Sequence, residues 1–369
     1  MTRCSGTWRV FYWEEPVFGA PAASLEIRDV SRKLKVAVPH LPSGLSAMEV
    51  SKIQKFLLNE MIRQHKVQDP VAWYYTPMAR DFSKDIGACA IVYDCMDELS
   101  AFRGAPAGLT AAEAELFRCA NLVFTGGKSL YESKRRQHAF VHCFPSSIDR
   151  EFFASARRIR AEVKDQQDVP HPRIGFCGVI DERMDLDLLA AVADARPDWH
   201  LVLLGPVVKI SESDLPRKAN IHYLGQKDYG SLPAYFAGWN VGLLPFARNE
   251  STRYISPTKT PEYLAAGLPV VSTPITDVVD PYGVRGLAHI AESAPDFVRA
   301  IENALPLRNC STRLAEVDRY LCHMSWDSTW KEMSHLICGV VDDMRAREGD
   351  GRSVLEDRAP DGGVECSIT

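Results

Sequence analysis

Short apolar runs recur along this chain with helix-like segments between them, and that alternation restricts the fold more than any other feature. In the first half, Trp8 to Tyr12, Lys35 to Pro39, Val71 to Tyr75, Ala88 to Asp94, Leu122 to Thr125 and Phe140 to Phe144 read as strands. In the second half, Arg173 to Val179, His200 to Gly205, Ile221 to Leu224, Val241 to Pro245, Pro269 to Ser272 and Leu287 to Ile290 do the same. Strands that are apolar on both faces and separated by helices belong to parallel sheets built of βαβ units. The charged stretch 156–172, ending in Val-Pro-His-Pro, cannot continue a core strand. The expected class is therefore α/β, with two Rossmann-like doubly wound domains over 1–155 and 173–325 and a linker between them.

Apolar residues from Trp326 to Met344 recur at helical spacing, so 326–346 is expected to close the fold as an amphipathic helix packed back on the first domain. From 347 to 369 Gly, Asp, Glu and Ser dominate, and a disordered tail is expected. The 369 residues suffice for two cores. A net charge of −5 gives no footprint for nucleic acid. No run is long and apolar enough for a membrane span, and the first ten residues do not form a signal peptide. Ten cysteines without a CxxC pair fit a reduced, cytoplasmic setting. The basic group Lys134, Arg135, Arg136 and His138 reads as a solvated helix end; peripheral contact with the inner face of a membrane is the minority reading.

The chemistry concentrates in residues 248–274. Strand Val241 to Pro245 runs into a polar loop, and a short helix begins near Thr258 or Pro261. In open α/β sheets ligands sit beyond the carboxyl ends of the strands, where backbone N–H groups can hold anions. Lys259 and Arg253 add positive charge there, and Glu262 can accept two hydrogen bonds from a vicinal diol. A ribose with a diphosphate uses all of these groups; a helix-dipole glutamate beside a solvated lysine is the plainer alternative. A second loop, Gly178-Val-Ile-Asp-Glu-Arg183, allows close backbone approach at Gly178 and puts a guanidinium at Arg183.

The run PTKTPEYLAAGLPVVST from Pro257 resembles the donor-binding segment of the GT-B glycosyltransferases, in particular the group 1 or family 4-like set. The stretches YDCMDE from Tyr93, GVIDER from Gly178, NIHYLG from Asn220 and SWDSTW from Ser325 extend the resemblance over most of the chain. It implies two domains facing a cleft and sugar transfer from a nucleoside diphosphate sugar to a glycan or lipid-linked acceptor, as in polysaccharide biosynthesis. No metal or other cofactor is expected, since fixed positive charge would stabilise the leaving diphosphate. In this reading Glu262 holds the ribose, Lys259 and Arg183 hold the diphosphate, and Gly178, Ser256, Thr258, Arg253 and Tyr263 complete the donor side.

Two departures from the family pattern stand out: Tyr254 replaces a glutamate eight residues before Glu262, and Val179 replaces an arginine. On the acceptor side, Asp94 and Asp97 are the candidate catalytic carboxylates, with Asp97 preferred as base and helix capping as the plainer alternative. Asp185 and Asp187 imitate a metal motif but read as a helix cap, and Thr125 to Ser129 fails the phosphate-loop pattern. Relatives usually begin with one more strand–helix unit, so the first domain is expected to lack it. That leaves a truncated, non-catalytic nucleotide-sugar-binding protein as the alternative function.

Overall fold

The computed structural model describes residues 1–349 and 365–368 and divides the strands between two sheets. The first contains β1 (Arg9–Trp13), β2 (Val17–Phe18), β3 (Ser24–Asp29), β4 (Leu34–Leu41), β5 (Pro70–Tyr74), β6 (Ala90–Cys95), β7 (Leu122–Thr125) and β8 (Val141–Cys143). The second contains β9 (Arg173–Cys177), β10 (His200–Leu204), β11 (Ile221–Gly225), β12 (Val241–Leu244), β13 (Val270–Ser272) and β14 (Ala288–Ile290). Helices α1 (Cys4–Thr7), α2 (Ala47–Gln64), α3 (Arg80–Ser83), α4 (Leu109–Cys119), α5 (Lys128–Lys134) and α6 (Arg150–Ala154) accompany the first. Helices α7 (Leu186–Ala195), α8 (Leu232–Ala237), α9 (Lys259–Ala265), α10 (Thr276–Val278), α11 (Ala294–Ala304), α12 (Ser311–Leu321) and α13 (Trp326–Gly349) follow.

The second sheet runs β11-β10-β9-β12-β13-β14 and its pairs are all parallel. Its order reverses between β9 and β12, so the loops after those two strands flank the crevice where such sheets take ligands. These are the two loops singled out by their charges, Gly178 to Arg183 and Arg248 to Ser256.

The first sheet runs β2-β4-β1-β15-β5-β6-β7-β8, where β15 is Glu365–Ile368, with β3 antiparallel on the outside of β4. Strands β2 and β3 were not expected: β2 is only two residues long, and β3 is short, with just Leu25 and Ile27 alternating inward against the core. The strand β15 (Glu365–Ile368) corrects the expectation of a disordered tail at those four residues. It lies parallel between β1 and β5, with Glu365 opposite both Arg9 and Pro70, and so occupies the position at which a first strand was expected to be lacking. The physical reason is the backbone: without it β1 and β5 would each present an unpaired edge inside the domain. The rest of the tail expectation, beyond the end of α13 at Gly349, lies outside the described residues.

Domain boundaries also shift. Ile148, Phe153 and Ala156 are buried in the core of the second domain with Trp239, Tyr263 and Leu264, so the chain crosses over before α6 rather than after residue 155. Helix α13 returns to the first domain, where Ile337 and Val341 pack with Val10, Val71, Trp73 and Val92. Local chemistry fixes the helix starts. Ser46 and Glu49 form a capping box at α2. The Asp185 carboxylate accepts from the Leu188 N–H at 2.8 Å, the helix cap expected there.

Candidate functional site

Helix α9 starts where the loop after β12 turns back toward the sheet, and it is buried from Thr260 to Ala265. Glu262 is only 7% exposed, although its neighbours Thr258 and Arg253 are exposed. Its Oε2 accepts from Lys259 Nζ at 2.6 Å. Burial pushes the Glu262 carboxyl above its ordinary range, and the lysine draws it back. The pair corrects the expected division of labour: before a ligand arrives, the lysine charge is already directed at Glu262. Oε1 has no hydrogen-bond partner among the described residues, so one oxygen is anchored while the other can receive a hydroxyl.

The helix start offers fewer amide donors than expected. Pro261 has no N–H, the Thr260 N–H donates to Pro257 O at 3.1 Å, and Thr258 makes no side-chain cap. The Thr260 hydroxyl is buried without a partner among the described residues, which suits a polar ligand against α9. Arg253 turns outward, 3.6 Å from Glu250 and over the Tyr254 ring.

Tyr263 is a correction. It is fully buried, its ring packs edge-on to Phe236 and Trp239, and its hydroxyl accepts from the Cys177 N–H at 2.7 Å. It cannot touch a donor, but it ties α9 to the end of β9 and so fixes where the Gly178 loop begins. Gly178 is partly a correction too: its N–H donates to Leu204 O at 2.9 Å and is spent within the sheet. The residue that allows the close approach is Gly205, at φ +143, where a Cβ would overlap the Gly178 carbonyl.

Arg183 is held by Asp181 through both its Nε, at 3.0 Å, and its Nη2, at 2.7 Å. Its guanidinium also lies over Phe102 of the first domain, 5.3 Å from the ring centroid, and Lys209 approaches the same ring at 5.4 Å. The Arg103 N–H donates to Glu182 Oε1 at 3.3 Å across the same junction. Sequence reasoning missed Asp181 and Phe102; the acid two residues before the arginine was a signal, whereas Phe102 had none.

The two candidate acids lie near the carboxyl end of β6, Asp94 within the strand and Asp97 just beyond it. Asp97 is half-buried; burial raises its pKa to about 6, and the nearby Arg183 holds it from rising further. Asp94 is buried, and burial raises it to about 7, with the Trp73 Nε1–H bond at 3.1 Å and the Met1 amino group pulling the other way. Of the two, Asp97 is the one under the field of a second-domain cation. Glu98 is diverted to Lys134 at 2.9 Å, and Lys134 also binds Glu113 at 2.9 Å. Lys134 is 3% exposed, so the reading of a solvated basic end fails at its first member.

A second contact between the domains lies at α5. Asp277 Oδ1 accepts from the Ser129 N–H at 2.9 Å, and Lys128 Nζ donates to Asp280 at 2.6 Å. A Cβ on Gly127 would overlap the Asp277 carboxylate and Ser256, which explains the glycine at that turn. Ser256 thus stands at the domain junction, next to Asp277, in a cavity of about 310 Å³.

The chain is similar to several known proteins. Residues 171–306 match the family described as glycosyl transferases group 1. TuaH of Bacillus subtilis (strain 168), assigned provisionally as a teichuronic acid biosynthesis glycosyltransferase, is 23% identical over 254 residues. The match covers 63% of this chain, and the chain spans 63% of the length of that relative. Sucrose-phosphate synthase from Thermosynechococcus elongatus superposes with a TM-score of 0.68 at 15% identity, covering 91% of this chain and 90% of that one. HepE from Anabaena, solved with UDP and glucose, superposes with a TM-score of 0.63 at 12% identity, covering 90% and 99%. The fold is GT-B, as the resemblance implied.

Proposed function

We propose that this chain, a member of the group 1 glycosyl transferases, moves a sugar from a nucleoside diphosphate sugar to a hydroxyl of a glycan or lipid-linked acceptor. The observation that carries this reading is Glu262, a carboxylate buried beside the switch point of the second sheet with one oxygen fixed by Lys259 and the other unpartnered among the described residues. Burying a carboxylate is costly, and a ribose diol is a ligand that repays it with two hydrogen bonds. The HepE relative was solved with UDP and glucose, and the trehalose-6-phosphate enzyme of E. coli with UDP-2-fluoro glucose, both on the same fold.

In this reading the diphosphate lies between Lys259 and Arg183, and its arrival competes with Glu262 and Asp181 for those cations. The leaving diphosphate is stabilised by these fixed charges, with no metal required. Asp97, ionised above about pH 6 and standing under Arg183, accepts the acceptor proton. The teichuronic acid biosynthesis assigned to TuaH is the precedent for a glycan acceptor. Among the described residues no helix is long and apolar enough to cross a membrane.

The test is turnover: release of nucleoside diphosphate from a panel of UDP- and GDP-sugars, with Asp97→Asn alongside. Release by the wild type and not by Asp97→Asn supports transfer. Donor binding without release from any sugar would favour the alternative of a non-catalytic nucleotide-sugar-binding protein.

A further inference from the structure

The loop after β10, Gly205 to Ser211, has no part in the proposed function, yet it carries a lysine on an unusual backbone. Lys209 sits at φ +63, a left-handed conformation that L side chains adopt at a cost and that folded proteins keep chiefly where function holds it. The loop is fixed in place. The Val208 N–H donates to Ile180 O at 3.0 Å and the Ile180 N–H to Pro206 O at 2.9 Å, so it runs beside the Gly178 to Arg183 loop. From the other side the Ala247 N–H donates to Arg183 O at 2.8 Å, which joins both to the loop after β12. Lys209 and Arg183 therefore share one scaffold beyond the strand ends.

Both cations approach the same ring. Phe102, on the loop after β6, has its centroid 5.3 Å from the Arg183 guanidinium and 5.4 Å from Lys209 Nζ. Their compensation differs. Arg183 has its two-point contact with Asp181, whereas the carboxylate of Glu182 lies 4.0 Å from Lys209, at the outer limit of an ion pair. A ring face attracts a cation weakly beside what an anion offers. The segment carrying Phe102 is also lightly held. Its Arg103 N–H reaches Glu182 Oε1 at 3.3 Å, a long hydrogen bond, and Glu182 Oε2 is buried without a partner among the described residues. Gly104 follows at φ +80, in a turn closed by the Ala105 N–H on Phe102 O at 3.1 Å.

We propose that Lys209 is a further donor-binding residue, closing with Arg183 on the diphosphate, and that Phe102 holds the place of that diphosphate until the donor displaces it. The inference rests on the donor reading above. It adds a third cation to Lys259 and Arg183, and it makes a residue of the first domain the gate to a site on the second. A diphosphate offsets the lost ring contacts because both cations gain charge-assisted hydrogen bonds. A neutral nucleoside supplies none, so it does not move Phe102.

The experiment is calorimetric titration of the full chain with UDP, GDP, uridine and guanosine, on the wild type, Lys209→Gly, Lys209→Arg and Phe102→Ala. Glycine suits the backbone at position 209, so Lys209→Gly should unfold thermally at or above the wild-type temperature, and a binding loss in it is not a folding loss. Its affinity for the diphosphate that the wild type binds should fall about tenfold, with nucleoside affinity unchanged, while Lys209→Arg stays within about twofold of the wild type. Phe102→Ala should bind the diphosphate about two- to fivefold more tightly, since no ring competes for the cations. Undiminished diphosphate affinity in Lys209→Gly would overturn the assignment and leave the donor reading standing. An equal loss for diphosphate and nucleoside would also overturn it, by marking a change of shape rather than of charge. Unchanged or weaker diphosphate binding in Phe102→Ala would overturn the gate. If the wild type binds none of the four probes, the donor reading itself fails and this inference falls with it.

Discussion

Replacing Asp94 by Asn should stabilise the protein, and by an amount that depends on pH in a calculable way. Burial raises the Asp94 pKa from 3.8 to about 7, so the folded state holds this proton more tightly than the unfolded state does. Between about pH 4 and pH 7 the folded protein is protonated there and the unfolded chain is ionised, so unfolding releases a proton. Stability contributed by the neutral acid is therefore fully present below pH 4. It falls by about 1.4 kcal/mol per pH unit above that and is lost once pH passes the folded pKa. Over the whole shift this amounts to roughly 4 kcal/mol. Asn keeps an acceptor for the Trp73 indole and cannot ionise, so it removes the slope. The assay is thermal unfolding followed by tryptophan fluorescence between pH 4 and pH 8. The variant should match the wild type near pH 4 and exceed it increasingly up to pH 7, with the difference constant beyond. Equal pH dependence in the two proteins would refute the burial argument, and with it the claim that Asp94 sits in a low-dielectric site.

Other consequences are as direct. Activity should rise with pH through about 6 as Asp97 ionises, and Arg183→Ala should move that midpoint upward by removing the cation that holds it down; a pH–rate profile checks both. Tyr263→Phe should cost about 1 kcal/mol of stability through the lost bond to the Cys177 N–H, measured by urea unfolding, with donor contacts untouched. Asp277→Ala should uncap the Ser129 N–H and loosen the junction at α5, seen as faster amide exchange over Gly127 to Ser129.

What the sequence disclosed follows from periodicity and from charge. The central strands are apolar on both faces, and β7 lies where the run Leu122 to Thr125 put it. Strand β3 escaped because its alternation is only two apolar residues long, Leu25 and Ile27, flanked by charged positions. Strand β15 escaped because its four residues, Glu365–Ile368, pair only through backbone placed between β1 and β5, hundreds of residues away. The same distinction separates the site residues. Glu262 and Lys259 are three apart on one helix, and local spacing brings them together. Tyr263 looked like a cleft residue by adjacency, yet helix geometry turns it about 100° from Glu262, into the core. The partners of Lys134, namely Glu98 and Glu113, and the stacking of Phe102 on Arg183 depend on tertiary neighbours, which residue spacing does not encode.

The central claim is that Glu262 and Lys259 form the floor of a nucleotide-sugar site, and calorimetric titration with UDP, GDP and UDP-sugars tests it most directly, with Glu262→Gln in parallel. Gln keeps the shape but gives up the charge that draws a ribose hydroxyl to Oε1, so donor affinity should fall by about 1 to 3 kcal/mol while the fold persists. Undiminished affinity in Glu262→Gln, or no nucleotide binding by the wild type, would contradict the account.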